Sequence, residues 1–593
     1  MYLEQINNPS DVKKLNIDEC QVLAEEIREA LINTVSKTGG HLSSNLGIVE
    51  ITLALHYVFF SPVDKIIFDT SHQCYTHKIL TGRKDAYMQE TSYGKYSGYT
   101  NPYESKHDFF EIGHTSTSIS LACGMAKSRD QKGGRENIIA VIGDASLGGG
   151  EALEGLSYGG SELNSNLIIV LNDNQMSIAE NHGGLYKGLQ RLRETKGEDP
   201  NNIFRFMGYD YIFVENGHDM KSLVNAFAKV KDIDRPIVIH TCTKKGMGYS
   251  SAEENVEEAH FVKPFNKAEG VPKTEVIGER YDIIVRDYLL KKMKADSNVV
   301  LMTAAMPVVL GFTKEYREQA GKQYIDVGIS EQHLVSMAAG IAKNGGKPVL
   351  TTRATFFQRA YDQISQDVCI NNAAITMIVV NASIYSPTDK THIGIFDIAM
   401  MSNIPNLVYL APTNKQEYLA MLEWSIEQNE HPVALRAPRN GVYSAGREVQ
   451  KDYSDINKYE ITKRGEKIAI LALGDFYQFG ESLCQKIEEE MNVSSTLINP
   501  RYITGIDGEC LDSLVDTHDI IITLEDGILD GGFGQKVASY YGKYDMKILN
   551  YGVKKGFFDG YDVQQVLIEN RIDCDLIIDD IKNIEKKTNV EVQ

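Results

Sequence analysis

Short apolar runs rich in β-branched residues recur along this chain and are separated by segments of helix length. The runs lack polar–apolar alternation, which is typical of strands buried on both faces of a parallel sheet. Apolar residues at helical spacing fill the intervals, for example at 18–35, 331–343, 414–428 and 481–491. The pattern predicts an α/β fold with several doubly wound sheets. The ten predicted strands are 137–143, 167–172, 236–240, 298–302, 348–352, 375–380, 407–410, 432–436, 467–473 and 519–524.

The 593 residues are enough for three or four domains at roughly 100–200 residues each. Three polar stretches with weak periodicity, at 181–202, 249–274 and 440–465, are interpreted as connections. Placing boundaries in the last two predicts three domains, at 1–272, 273–455 and 456–593.

The charge balance excludes some classes of partner. Lys and Arg total 61 against 81 Asp and Glu, a net charge of −20, and no basic run stands out. We therefore expect no nucleic-acid partner and no membrane-surface role. The sequence has no apolar window of about eighteen residues, and its first residues do not show the basic region followed by an apolar region that is typical of a signal peptide. We therefore predict a cytoplasmic protein. Its eight cysteines form no CxxC pair, and we expect buried thiols rather than a zinc site or disulfides.

The most specific chemical signal follows two predicted strands. Gly143-Asp144-Ala145-Ser146 ends one strand, and Asn172-Asp173-Asn174 ends the next. Open α/β sheets bind ligands at the carboxyl ends of their strands. Carboxylate and amide oxygens converging there suit Mg²⁺, which is usually shared with a diphosphate. The alternative is two ordinary turns, because Gly-Asp and Asn-Asp are common turn formers.

A second signal is Glu331, which opens a predicted helix after the apolar run 324–327. A glutamate at a helix start is often no more than a favourable partner for the helix dipole. Taken together, the strand-end motif and this glutamate resemble the thiamine diphosphate enzymes of the transketolase group.

The resemblance extends over almost the whole chain to the 1-deoxy-D-xylulose-5-phosphate synthase family. It implies three doubly wound α/β domains of the transketolase type: diphosphate-binding, pyrimidine-binding and C-terminal. Nine motifs in order carry it: HLSSNLG (41–47), DTSHQCYTHKILTGR (69–83), GHTSTSIS (113–120), NDNQMSI (172–178), NGHD (216–219), TKKGMGY (243–249), DVGISEQH (326–333), FFQRAYDQ (356–363) and APRNG (437–441).

The resemblance implies thiamine diphosphate and Mg²⁺ as cofactors, with Glu331 on the aminopyrimidine, Phe356 stacked on it and Arg359 beside it. The implied metal ligands are Asp144, the Asn174 side chain and the Met176 carbonyl. The residues implied near the rest of the cofactor are His72, Gly113, His114, Thr115, Ala145 and Ser146.

The implied reaction is decarboxylation of pyruvate and transfer of the two-carbon unit to glyceraldehyde 3-phosphate. His41, His260 and His392 would orient substrates and move protons near neutral pH. The family pattern also implies a homodimer, and a product that serves isoprene and thiamine biosynthesis.

The acceptor pocket departs from the family pattern. Arg439 matches one of two family arginines that bind the acceptor phosphate, but Asn381 stands at the place of the other. Thr388 replaces a family Asp, and Arg353 replaces a family Tyr. Either Arg353 supplies the missing cation, or the enzyme is a transketolase-like or acyloin-forming paralogue that uses another aldehyde. A homologue that binds without catalysis is a third reading.

Two further departures lie beside the predicted metal site. Ala145 stands where the family has glycine, which is acceptable only if its φ is negative. The segment 181–202 is shorter than the family's covering loop, so gating of the decarboxylation step could differ.

Overall fold

The computed structural model describes residues 1–272, 278–386, 389–446 and 448–591. The chain divides into two compact units. One contains Met1–Glu275 and Val327–Ser330, and the other contains Val276–Asp326 and Glu331–Gln593.

The first unit is built on a parallel five-stranded sheet in the order β1-β2-β3-β5-β4. Its strands are β1 (Lys65–Phe68), β2 (Ile138–Gly143), β3 (Leu167–Asp173), β4 (Asp210–Val214) and β5 (Pro236–Cys242). Its longer helices are Ile17–Thr38, Val49–Val58, Ser118–Gln131, Gly150–Ser161, Gly184–Glu194 and Met220–Val230. Its shorter helices are Pro9–Val12, Ser43–Leu46, Tyr75–Lys78, Asp85–Met88, Asp144–Leu147, Ile203–Phe206 and Ser250–Glu254.

Alternate residues of the central strands enter two separate cores. On β2, Ile139 and Val141 pack into one cluster, whereas Ile138, Ala140 and Ile142 pack into the other. Both faces of the strand are therefore apolar and covered by helices. This explains why the sequence shows a continuous apolar run there and no alternation.

The second unit contains two sheets. The first is parallel, in the order β10-β11-β9-β8-β6-β7, and the second has the order β12-β14-β13-β15-β16 with β12 antiparallel at its edge. The strands are β6 (Val299–Thr303), β7 (Tyr324–Asp326), β8 (Lys347–Arg353), β9 (Thr376–Val380), β10 (Val408–Leu410), β11 (Val433–Arg436), β12 (Glu460–Lys463), β13 (Lys467–Ala472), β14 (Thr496–Asn499), β15 (His518–Ile528) and β16 (Lys547–Val553). The helices are Tyr281–Ala295, Lys314–Ala320, Glu331–Lys343, Ala354–Phe357, Tyr361–Gln363, Asp397–Met401, Lys415–Glu427, Tyr477–Met491, Gly508–Asp512, Phe533–Tyr541, Val563–Glu569 and Cys574–Glu591.

The structure confirms the α/β class and a strand at each of the ten predicted positions. It adds β1, β4, β7, β12, β14 and β16, which are not among the ten predicted strands. The strands β1, β7, β12 and β14 have three or four residues, and β4 and β16 are half-buried over much of their length, so none makes a long apolar run.

The prediction that 181–202 is only a connection was wrong, because it contains the helix Gly184–Glu194. Leu189 and Leu192 are its buried residues, so just one narrow stripe is apolar and the surrounding charges hide the periodicity. The stretches 249–274 and 440–465 likewise contain a short helix and β12, and their residues Lys273, Thr274 and Arg447 lie outside the described residues.

Within the described ranges, no helix is long and apolar enough to cross a membrane. The thiols are free, and five of the eight are buried, which agrees with the interpretation as structural cysteines.

Candidate active site

Two strand ends of the first unit bring the predicted metal ligands side by side. Strands β2 and β3 are neighbours, with Gly143 paired to Asn172, so Asp144 and Asn174 follow the carboxyl ends of adjacent strands. Asp144 is buried and is the first residue of the short helix Asp144–Leu147. The parallel register thus produces the convergence that the sequence predicted.

The Asp144 carboxyl lies in an environment that opposes its ionisation. Burial, followed by the charge of Asp173, raises the pKa of Asp144 to about 8. Its Oδ2 accepts a hydrogen bond of 2.7 Å from Asn181 Nδ2. The Oδ1 atom of Asn181 is buried and has no hydrogen-bond partner among the described residues. This corner is therefore rich in oxygen acceptors.

Asp173 has the opposite electrostatics. Burial opposes its ionisation, but hydrogen bonds and charge from His240 and Arg193 prevail and lower its pKa. His240 Nε2 lies 2.7 Å from its Oδ2, and Arg193 pairs with the same oxygen. Arg193 and Asn181 therefore anchor the 181–202 segment to the two strand ends. Four residues of this corner are not among the predicted site residues, although one of them stands in the Asn-Asp-Asn motif itself: Asp173, Asn181, Arg193 and His240.

The turn after β3 shapes the remaining predicted ligands. Asn174 Oδ1 accepts the Met176 N–H at 3.2 Å, and Gln175 between them has a φ of +66°. Lys245 is buried and donates from its Nζ to the Ser177 carbonyl. Its motif TKKGMGY was noted in the sequence, but no role was given to it.

These residues fit a hard divalent cation. The donors are a carboxylate, amide oxygens and a backbone carbonyl, which Mg²⁺ prefers, and Oδ1 of the neighbouring Asn181 has no hydrogen-bond partner among the described residues. A cation would also supply the charge that burial of Asp144 demands. Within the described ranges, no group of three or more His, Cys, Asp or Glu side chains is arranged to hold a metal.

The loop with Gly113, His114 and Thr115 lies beside this corner. The buried Asp69 carboxylate accepts the N–H groups of Ser116 and Ser118 at 2.8 and 3.0 Å, which fixes the loop to the start of a helix. Ser116 Oγ donates to the Ser146 carbonyl at 2.7 Å. The second predicted cofactor segment is thereby joined to Ala145 and Ser146. Ala145 is helical and has no positive φ, so it introduces no strain.

Three histidines of this unit form a triangle. The ring centroids of His41 and His72 are 4.7 Å apart, and His260 lies 5.5 and 5.4 Å from them. Asn45 Nδ2 donates to the carbonyls of both His41 and His72, at 2.8 and 2.7 Å. Residues far apart in sequence are thus brought together, and His260, the least distinctive of the three by motif, joins the group.

In the second unit, Glu331 begins the helix Glu331–Lys343 and is buried. Burial raises its pKa, although the nearby Arg359 guanidinium partly opposes the shift. Arg359 Nη1 lies 3.7 Å from Glu331 Oε2, beyond hydrogen-bond distance. The glutamate is therefore a buried carboxyl whose surroundings favour its protonated form.

Phe356 and His392 are also brought together, edge to face, with ring centroids 5.5 Å apart. Thr391 Oγ1 lies 2.8 Å and Asp389 Oδ1 lies 3.3 Å from His392 Nδ1. Both contacts engage the same ring nitrogen, so they orient the imidazole. Thr388, the family's Asp position, lies outside the described residues.

The three acceptor positions occur at the ends of adjacent strands. The order β11-β9-β8 places Arg439 beyond β11, Asn381 directly after β9 and Arg353 at the last position of β8. Arg353 is paired in register with Val380, the residue before Asn381. Asn381 has a φ of +55°, a conformation that asparagine tolerates better than most residues. Arg353 and Arg439 thus lie at the ends of the two strands that flank β9, and Asn381 directly follows β9.

Comparison with protein families gives three matches. The 1-deoxy-D-xylulose-5-phosphate synthase model matches residues 3–200 and 195–243. The pyrimidine-binding domain of transketolase matches 282–443, and the transketolase C-terminal domain matches 457–567.

Two relatives that match most of the chain have the same name. The 1-deoxy-D-xylulose-5-phosphate synthase of Alkaliphilus oremlandii is 40% identical over 575 residues, covering 90% of this chain and 91% of that protein. That of Clostridium perfringens is 40% identical and covers 91% and 92%. Among solved structures, the transketolase of Leishmania mexicana has a TM-score of 0.45 at 14% identity, covering 96% of this chain and 97% of that one.

Proposed function

The chain belongs to the 1-deoxy-D-xylulose-5-phosphate synthase family, and from this premise we propose that it decarboxylates pyruvate and transfers the two-carbon unit to D-glyceraldehyde 3-phosphate. The products are 1-deoxy-D-xylulose 5-phosphate and carbon dioxide, so the enzyme is a transferase of aldehyde or ketone groups. The observation that carries the proposal is 40% identity over 90% of the chain to a protein of that name. The comparisons do not favour a paralogue with another acceptor or a homologue that only binds.

The cofactors are thiamine diphosphate and Mg²⁺. Asp144, Asn174 and the Met176 carbonyl hold the metal, and the loops at 113–115 and 145–146 bind around the diphosphate with His72. The hydrogen bond between Ser116 and Ser146 supports this assignment, because it joins the two loops. When bound, thiamine diphosphate supplies the carbanion chemistry that no amino-acid side chain provides.

The protein residues position groups and move protons. Glu331 holds a proton at the aminopyrimidine, which its burial and raised pKa support. Phe356 presents a ring face to the pyrimidine, and Arg359 balances the glutamate. His41, His260 and His392 orient the substrates and exchange protons with them.

The acceptor phosphate is bound by Arg439 together with Arg353, which replaces the cation missing at Asn381. The strand order supports this assignment, because both arginines flank the end of β9.

We expect Arg353→Ala to raise the KM for glyceraldehyde 3-phosphate about tenfold or more and to leave the KM for pyruvate unchanged. Loss of a charged hydrogen bond costs about 1.5–3 kcal/mol. Steady-state kinetics with each substrate varied in turn measure both constants. Arg353→Lys retains the charge without the two-point geometry, so its KM for the aldehyde should lie between those of the wild type and Arg353→Ala. Arg280→Ala controls for loss of an exposed arginine of the same unit. An unchanged acceptor KM in Arg353→Ala contradicts charge relocation.

Three domains carry these roles: 1–272 for the diphosphate, 273–455 for the pyrimidine and 456–593 as the C-terminal domain. The enzyme acts as a homodimer in the cytoplasm, a compartment that keeps its eight free thiols reduced. Its product enters isoprene and thiamine biosynthesis.

The proposal is tested with purified protein, thiamine diphosphate, Mg²⁺ and pyruvate. Carbon dioxide release is followed with and without glyceraldehyde 3-phosphate, and the product is identified by mass. We expect the aldehyde to accelerate release strongly and a deoxypentulose phosphate to appear. Release that ignores the aldehyde means another acceptor, and untouched pyruvate means another donor.

A further inference from the structure

A carboxylate of the second unit holds the loop that carries Arg439. Asp475 lies in the turn after β13, preceded by Gly474 with a φ of +53°. Its Oδ1 and Oδ2 accept the Arg439 N–H at 3.0 and 2.8 Å. Both carboxylate oxygens thus face the same backbone amide. A side chain from one sheet therefore fixes the backbone of the loop at the strand end of the other.

The same loop is anchored a second time just upstream. Arg436, the last residue of β11, is buried and pairs with Asp397 and with Asp526 of β15. Arg439 itself is exposed. The backbone of this loop is thus held rigidly on both sides, while the guanidinium at its tip stays accessible to a ligand.

Stability does not explain this carboxylate. Burial, followed by the charge of Asp526, raises the pKa of Asp475 to about 7, although Arg436 and the Arg439 N–H favour the ionised form. The charge of Asp475 also contributes to raising the pKa of the Tyr281 and Tyr385 hydroxyls. A carboxyl that resists ionisation in the folded state destabilises that state at neutral pH. Its presence is accounted for by the loop that it organises.

We infer that Asp475 is a positioning residue for acceptor recognition, which presents Arg439 to the phosphate of the aldehyde substrate. The inference rests on the proposed function, and it assigns the C-terminal sheet a part in choosing the acceptor. Preorganised backbone makes a two-point phosphate contact stronger, because the ligand does not have to order the loop on binding.

The test variant is Asp475→Asn, whose amino group replaces one of the two oxygens that accept the Arg439 N–H. We expect the KM for glyceraldehyde 3-phosphate to rise about tenfold, with the KM for pyruvate and the aldehyde-saturated kcat nearly unchanged. Hydrogen exchange of the peptide 437–443 should become faster. If Asp475→Asn is not recovered folded, Asp475→Ser serves the same test, because its shorter side chain removes the carboxylate contact with the Arg439 N–H.

Glu525→Gln is the matched control. Glu525 is also a buried carboxyl of the C-terminal sheet with a raised pKa, of about 8, and it accepts two backbone N–H groups, from Phe533 and Gly534. Its loss should lower stability without changing either KM or exchange at 437–443.

The outcomes separate the two proposals. Unchanged exchange at 437–443 in Asp475→Asn overturns the inference whatever the enzyme's acceptor is. Equal increases in both KM values also overturn it, because they indicate a general structural effect. A wild-type enzyme whose carbon dioxide release ignores the aldehyde overturns the proposed function, and with it the acceptor role of Asp475.

Discussion

Asp144 and Asp173 lie at the carboxyl ends of the neighbouring strands β2 and β3, yet their pKa values are shifted in opposite directions. Burial and the charge of Asp173 raise that of Asp144 to about 8, whereas His240 and Arg193 overcome burial to lower that of Asp173. Asp173 is bonded to His240 and pairs with Arg193, whereas Asp144 accepts a hydrogen bond from the neutral Asn181 amide. Two similar carboxyls are thus assigned different tasks by their surroundings. The first suits a cation, and the second holds the turn.

At this scale, we predict that Glu331→Gln lowers turnover by about 10²–10⁴-fold, because the amide cannot exchange the proton that the carboxyl holds. The fold should persist, since a buried group whose pKa is raised is replaced by a neutral isostere. Single-turnover carbon dioxide release and thermal unfolding measure the two effects.

The matched control is Glu417→Gln, another buried glutamate of the same unit with a raised pKa. Glu417 accepts hydrogen bonds from Thr413 and Asn499, so its replacement should reduce stability rather than turnover. Full activity in Glu331→Gln contradicts the proposed proton role.

At the level of elements, one short helical segment of the first unit is held by a buried ionic network. The four-residue helix Tyr75–Lys78 is too short to be stable alone. His77 Nε2 reaches Asp108 Oδ1 at 2.9 Å, and Arg83 donates two hydrogen bonds to the same carboxylate, at 2.6 and 2.8 Å. The N–H of Asn101 adds a fourth bond at 2.7 Å. The network joins this helical segment to the 101–108 loop.

We predict that Asp108→Asn destabilises the protein by about 3–5 kcal/mol at pH 7, because it removes the fully buried countercharge of Arg83 and leaves that guanidinium with the Glu104 carboxylate, which it shares with Lys78. Burial opposes ionisation of Asp108, but Arg83 and His77 hold its pKa well below the usual range. A lowered carboxyl pKa stabilises the folded state above the unfolded pKa of about 4 and loses that effect as the pH falls through the folded pKa. The difference between variant and wild type should therefore shrink in acid.

Denaturant unfolding at several pH values measures this difference. Glu488→Gln, which breaks the exposed pair with Lys463, is the control and should change stability by about 0–1 kcal/mol. A similarly small effect in Asp108→Asn would show that the network contributes little.

At the level of the whole molecule, three sheets with separate cores underlie two compact units. The strand ends that carry the predicted site residues belong to sheets in both units. A ligand that binds at these strand ends should raise the free energy of unfolding, because a ligand that binds only the folded state shifts the unfolding equilibrium.

We predict that thiamine diphosphate with Mg²⁺ stabilises the protein by about 2.7 kcal/mol at a hundredfold excess over the Kd. Removing the metal with a chelator should abolish most of this stabilisation. Scanning calorimetry measures it without any turnover. Asp144→Asn should lose the response, whereas Asp210→Asn, which breaks the partly exposed pair with Arg235, should keep it. An equal shift in Asp144→Asn contradicts the metal assignment.

The sequence by itself determined the α/β class, the ten long apolar strands and the main site motifs. Strands buried on both faces and residues at their carboxyl ends leave local patterns, so Asp144, Asn174 and Glu331 could be recognised without coordinates. Only the tertiary structure decided which partners surround them. Asn181 beside Asp144, His260 beside His41 and Asp475 beneath Arg439 lie far apart in sequence, and short edge strands leave no apolar run. Electrostatics depends on burial and on such distant neighbours, so the pKa values of these groups follow from the fold and from no motif.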